Sequence, residues 1–112
     1  MKRTLAVICL LMAINVNAAA TTIVGQGLIS CGKWNKEQSE VGRLTNMIWV
    51  IGYLSGMSVG LNFFREEKID VLKNTDFHAI ESAIDKFCLE NPLKQVSMAS
   101  DAVFLELLKA AR

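Results

Sequence analysis

Few residues in this chain could do chemistry, and their spacing limits what that chemistry can be. There is one histidine, His78, and there are three cysteines, Cys9, Cys31 and Cys88. Nucleophilic catalysis needs a base beside the nucleophile and a third group that orients the base. His78 could serve Ser82 one turn further on, but helix positions four apart on a surface ordinarily just face water. A structural metal site takes three or four Cys, His or carboxylate ligands, and pairing Cys31 with Cys88 would remove two of them. Glu66, Glu67 and Asp70 form a carboxylate cluster inside the charged run from Arg65 to Asp70. That run reads as a solvated helix end or loop, whereas paired acid/base work needs desolvation to split the two pKa values. Gly52, Gly56 and Gly60 are no phosphate cradle, because they sit inside a helix-patterned stretch where the amides are already bonded. The reading is a non-enzyme, with no catalytic residue, metal or cofactor.

The ends of the chain bear on compartment. Lys2 and Arg3 precede an apolar stretch from Leu5 to Ile14, followed by Val16-Asn17-Ala18, which is the pattern of a secretory signal. Cleavage is expected after residue 18, with Ala19 and Ala20 as near alternatives. The apolar stretch is too short to span a bilayer, which takes roughly 20 residues. Cys9 leaves with the signal. Removing Lys2 and Arg3 from twelve basic residues leaves ten against eleven acidic ones. A nucleic-acid surface would show a clustered basic excess, so that class is excluded. Residues 19–112 make a single domain whose core is limited by its surface-to-volume ratio. The two remaining cysteines, Cys31 and Cys88, allow one connectivity, and an exported chain would oxidise them. The long loop so closed corresponds to about 4 kcal/mol in the chain-entropy model. The expected location is the periplasm.

The elements that must position these residues are helical. Residues 19–30 read as a poorly ordered or extended arm, and Trp34 as a core anchor in a turn or short helical piece. From about Gln38 to Phe64, Met47, Val50, Leu54, Met57, Leu61 and Phe64 recur at three- and four-residue steps, one face of a helix. Ile48, Trp49, Ile51 and Tyr53 carry apolarity around the rest of it, as in a buried central helix or a membrane span. Leu44 to Phe64 is 21 residues without a charge. A span there would put Cys31 and Cys88 on opposite sides of the membrane, which argues against it. Gly52, Gly56 and Gly60 make a small-residue ridge, each glycine costing about 1 kcal/mol of helix propensity against alanine. The compensating gain expected is close approach of another helix, in this chain or in a second subunit. Trp49, Gly52, Tyr53, Gly56 and Gly60 are therefore the candidate packing or interface residues, and a homodimer is one option. Asn74 and Thr75 offer caps for a helix with an apolar stripe of Phe77, Ile80, Ile84 and Phe87, ending near Glu90 before Pro92. Asn91 as cap and Pro92 at the first helical position then start a last helix, with Val96, Ala99, Val103, Phe104, Leu107 and Leu108 inward. The fold class is all-α: a disulfide-stapled domain of three main helices, with room for a short fourth near Trp34.

At Cys31, at Trp49-Val50-Ile51-Gly52-Tyr53-Leu54-Ser55-Gly56 and at Phe87-Cys88-Leu89-Glu90-Asn91-Pro92, the chain resembles the HdeA/HdeB-type periplasmic acid-stress proteins. A looser likeness runs to the Rap/Tai-type immunity proteins, which neutralise cell-wall amidase effectors. They share the Gly-Tyr-x-x-Gly helix, matched by Gly52 to Gly56, and a Pro-containing break before an Ala-rich last helix. Their usual extra cysteines are absent here. The first resemblance implies a chaperone that exposes apolar surface when its carboxylates are neutralised and basic groups repel. The second implies an inhibitor that plugs one enzyme. A structural part of an envelope complex, assembled on the glycine ridge, is the third option. All three bind protein partners in the periplasm.

Overall fold

The computed structural model describes residues 22–112, and the signal reading at residues 1–18 lies outside them. A 3-10 turn, Gly25–Leu28, is followed by four helices: α1 (Cys31–Lys36), α2 (Glu40–Asn62), α3 (Phe77–Glu90) and α4 (Val96–Ala111). Among the described residues there are no strands, only an isolated antiparallel bridge between Ser30 and Gln95. The short piece around Trp34 is thus a helix in its own right, and the all-α expectation holds.

Local chemistry sets the helix limits. Ser39 caps α2 by accepting from the Gly42 amide at 3.1 Å, while Glu37 Oε1 accepts from the Ser39 amide and hydroxyl at 2.9 and 2.7 Å. Those bonds hold the exposed Glu37 carboxyl below its ordinary range. The other end stops at Asn62, two residues short of the apolar pattern. The Asn62 side chain pairs with the Ile69 backbone, donating to its carbonyl at 2.7 Å and accepting from its amide at 2.8 Å. Lys68 Nζ donates to the Asn62 and Arg65 carbonyls at 2.7 and 2.6 Å, supplying partners that a helix end leaves wanting. The chain turns there, so Phe64 is 93% exposed and not part of the inward stripe.

Two other boundaries differ from expectation. Asp76, not Asn74 or Thr75, caps α3, its carboxylate accepting from the Ala79 amide at 2.8 Å. The last helix begins at Val96, not Pro92, with Gln95 as its N-cap. The intervening segment has another use: the Pro92 and Lys94 carbonyls accept from the Gly32 and Cys31 amides at 2.8 and 2.7 Å. Those amides are orphan donors at the start of α1. The Val96 amide in turn donates to Ile29, so the arm before Cys31 is fixed against the start of α4. The arm expected to be poorly ordered or extended is extended at Val24 and Ile29, with a 3-10 turn between them from Gly25 to Leu28.

The Cys31–Cys88 disulfide closes 57 residues of sequence with Cα atoms 4.6 Å apart, inside the range such bonds require. Both cysteines are fully buried, in one core cluster with Trp34, Ile84 and Val96. Removing a disulfide from a domain of this size costs about 2–5 kcal/mol. Met47, Val50 and Leu54 from α2 meet Ile80 and Ile84 from α3 and Ala99, Val103 and Phe104 from α4 in one core. Tyr53 meets Asp101 and Trp49 lies by the arm that joins Val96, so α2 and α4 run in the same direction.

Candidate interaction surface

The helix α2 carries every candidate packing residue of the sequence analysis, and its sides have very different neighbours. The inward side is Met47, Val50 and Leu54, all fully buried, with Asn46 at its margin. One turn before Met47, Arg43 reaches across to α3. Its Nη2 donates to Glu81 Oε1 at 2.7 Å and to both oxygens of Asp85 at 3.2 Å. Trp34 Nε1 donates to Asp85 Oδ1 at 2.6 Å, and Arg43 sits 5.6 Å from the centre of the Trp34 ring. The bonds to Glu81 foremost raise the guanidinium above its already high ordinary value. This group joins α1, α2 and α3. Nothing in the spacing of the sequence pointed to it, because Arg43 finds its partners 38 and 42 residues away.

The next side is covered by the arm. Trp49 and Tyr53 stack with ring centres 4.8 Å apart and planes 16° from parallel. Trp49 Nε1 donates to the Val24 carbonyl at 2.8 Å. Gly25, at φ 86°, and Gly27 lay the chain directly on the indole. A Cβ at Gly27 would clash with the six-membered ring of Trp49. Tyr53 Oη donates to Asp101 Oδ1 at 2.8 Å. Burial first, then the bond to Asp101 and its negative charge, push the Tyr53 phenol up to about 12.

The outward side is bare. Around Gly52, Gly56 and Gly60 a Cβ would meet nothing within 4 Å among the described residues. Among the described residues the ridge is not a seam between helices, and no packing there offsets its cost in propensity. Alongside it Val41, Ile48, Val59 and Phe63 are exposed at 76, 62, 67 and 72%. The apolarity that the sequence carries all round α2 therefore has two meanings: half of it is core, and half faces solvent.

The groups considered for catalysis stay apart. The His78 side chain is 88% exposed, with Nδ1 3.8 Å from Glu81 Oε2. Glu66, Glu67 and Asp70 are exposed on the loop after α2. Among the described residues no group of three or more His, Cys, Asp and Glu could hold a metal ion. A recess of about 240 Å³ between α2 and the start of α3 is walled by Ile51, Leu54, Phe77 and Ile80, without a reactive pair. By length and composition α2 could also cross a membrane, and 22% of the relevant window is buried in the fold. The disulfide joins segments that flank that helix, which a span would separate. No protein-family model, curated protein or solved structure matches this chain.

Proposed function

We propose that the protein is exported to the periplasm, loses residues 1–18, and acts there by non-covalent binding of protein, in the manner of the HdeA/HdeB-type proteins it resembles. The observation that carries the reading is the outward side of α2. It holds Val41, Ile48 and Val59 at 76, 62 and 67% exposure, and no charge interrupts Leu44 to Phe64. Contiguous exposed apolar surface on a small domain marks an interaction site. The disulfide fits an oxidising compartment.

Two modes of binding use that surface. In the acid-chaperone mode, self-repulsion of the basic groups at low pH loosens α2 from α3, adding the inner side of α2 to the outer one. In the immunity mode, the folded domain plugs one enzyme at neutral pH. The second is favoured by one specific feature: the outward side is open without any unfolding.

The test is capture from periplasmic extract, paired with suppression of aggregation of unrelated periplasmic proteins, at pH 7 and near pH 2–3. The chaperone mode predicts suppression at acid pH and a rise in dye-accessible apolar surface. The immunity mode predicts one tight partner at pH 7 and no acid response. Ile48→Glu should weaken either. A protein that binds nothing and protects nothing at both pH values defeats the proposal. So does a hydrolytic activity that is lost in His78→Ala with the fold intact.

A further inference from the structure

The arm before α1 and the surface beneath it are held in unequal ways. The turn Gly25–Leu28 lies against both α2 and α4, but its hold is slight. Among the described residues, one hydrogen bond ties residues 22–28 to the helices, from Trp49 Nε1 to the Val24 carbonyl at 2.8 Å. No side chain of that segment belongs to the core, Ile29 being the first that packs on it. Val24 is 74% exposed and Leu28 50%. What the segment buries is Gly27, which has no side chain.

The surface beneath is built without the arm. Tyr53 stacks on Trp49 with ring centres 4.8 Å apart, and Tyr53 Oη donates to Asp101 of α4 at 2.8 Å. Trp49 itself packs against the core. Helices α2 and α4 therefore keep this platform in shape when the arm leaves it. It offers a flat apolar face with one N–H donor at its edge, a surface suited to recognition. We propose that the platform is a peptide-binding subsite, filled here by the chain's own arm and alternatively by a glycine-containing segment of the protein partner.

The arm shows what chemistry the subsite reads. A carbonyl comes first, accepting from Trp49 Nε1. The next residue takes φ 86° at Gly25, which glycine adopts without strain. Two residues further on, at Gly27, the indole leaves no room for a Cβ. Gln26 between them is half-buried and makes no side-chain hydrogen bond to another described residue. Residues 22–28 carry no charge. The fitting ligand is an uncharged Gly-x-Gly segment with a carbonyl in front of it. That the ligand comes from a protein partner rests on the proposed function, whereas the subsite does not.

A segment held this lightly opens locally while the rest of the fold stays closed. With the open form populated on the order of 1%, a peptide should bind an empty platform about a hundredfold more tightly than one whose arm competes. The probe is the end-blocked peptide of residues 22–28, Thr-Ile-Val-Gly-Gln-Gly-Leu, and its control has alanine for the second glycine. In the full disulfide-bonded chain, Gly27→Val prevents the arm from lying on the indole. That variant should bind the probe more tightly than the parent by the same factor, read by tryptophan fluorescence. In isotopically labelled parent protein, several millimolar probe should move the Gly25 and Gly27 amide signals to unstructured positions. The alanine peptide should do neither. Equal binding of the two peptides overturns the proposal. So do glycine signals in the parent that stay in place, whether or not Gly27→Val folds. Probe binding by a protein that captures no periplasmic partner upholds the subsite and removes the proposed function. Capture of a partner without probe binding does the reverse.

Discussion

Two groups of glycines lie against or along α2, and they do opposite things. Gly25 and Gly27 bring the arm onto Trp49, where a side chain at Gly27 has no room. Gly52, Gly56 and Gly60 are on the helix itself and meet no other described part of the chain. In sequence the second group is the conspicuous one, evenly spaced in an apolar run, while the first looks like loop composition. Periodicity reports which residues share a helix face. It does not report whether that face has a neighbour. The covered side of α2 is defined by long-range contacts from Val24 and Asp101, and the bare side by their absence among the described residues.

The sharpest way to break this comparison is to truncate one large side chain on each side of the helix. Leu54→Ala removes a fully buried side chain and should cost about 2–5 kcal/mol in chemical denaturation. Ile48→Ala, at 62% exposure, should stay within about 0.5 kcal/mol of the parent when measured dilute. Equal losses would mean that the outward side is packed within the monomer.

Glycine replacements give smaller effects of opposite sign. Gly27→Ala must displace either the stacked indole or the turn, and should destabilise by about 1–3 kcal/mol. Tryptophan fluorescence should shift as Trp49 leaves its bond to Val24. Gly56→Ala should instead stabilise the dilute monomer by up to about 1 kcal/mol, the gain in helix propensity. Thermal melts of the two variants decide the matter. A destabilised Gly56→Ala monomer would place a neighbour against the ridge.

Much of the fold was legible because it is encoded locally. The three- and four-residue steps placed α2, α3 and α4, the two cysteines outside the expected signal placed the disulfide, and Trp34 was readable as a core anchor. What was not legible depends on contacts between distant segments. Phe64 continues the inward periodicity of α2, yet Asn62 pairs with Ile69 and the helix stops first. Pro92 has the form of a first helical residue, but its carbonyl is committed to the Gly32 amide of α1. Arg43, Glu81 and Asp85 were missed for the same reason, as surface-type charges whose pairing needs the tertiary fold. Of the candidate interface residues, Trp49 and Tyr53 are engaged inside the chain. Among the described residues the three glycines are not, and the sequence treated all five alike.

The smallest effect sharpens the edge between the two sides. Tyr53 lies beside the ridge in the helix, but its hydroxyl turns to Asp101 of α4. It is the only tyrosine in the chain, so the phenolate absorbance reports on it alone. Its pKa is raised from the ordinary 10 to about 12, chiefly by burial and then by Asp101. A raised value means that the fold favours the protonated phenol. That contribution to stability is fully present below pH 10 and is lost as pH rises through about 12. A titration followed by absorbance, with far-ultraviolet circular dichroism at each pH to separate titration from unfolding, should show the late midpoint. Asp101→Asn removes the charge and its acceptor but not the burial, so the midpoint should fall only part of the way towards 10. An unperturbed midpoint in the parent protein would mean that water reaches Tyr53 as freely as it reaches Gly56. The covered edge would then be open, and the division of α2 into an engaged side and a bare side would fail at its boundary.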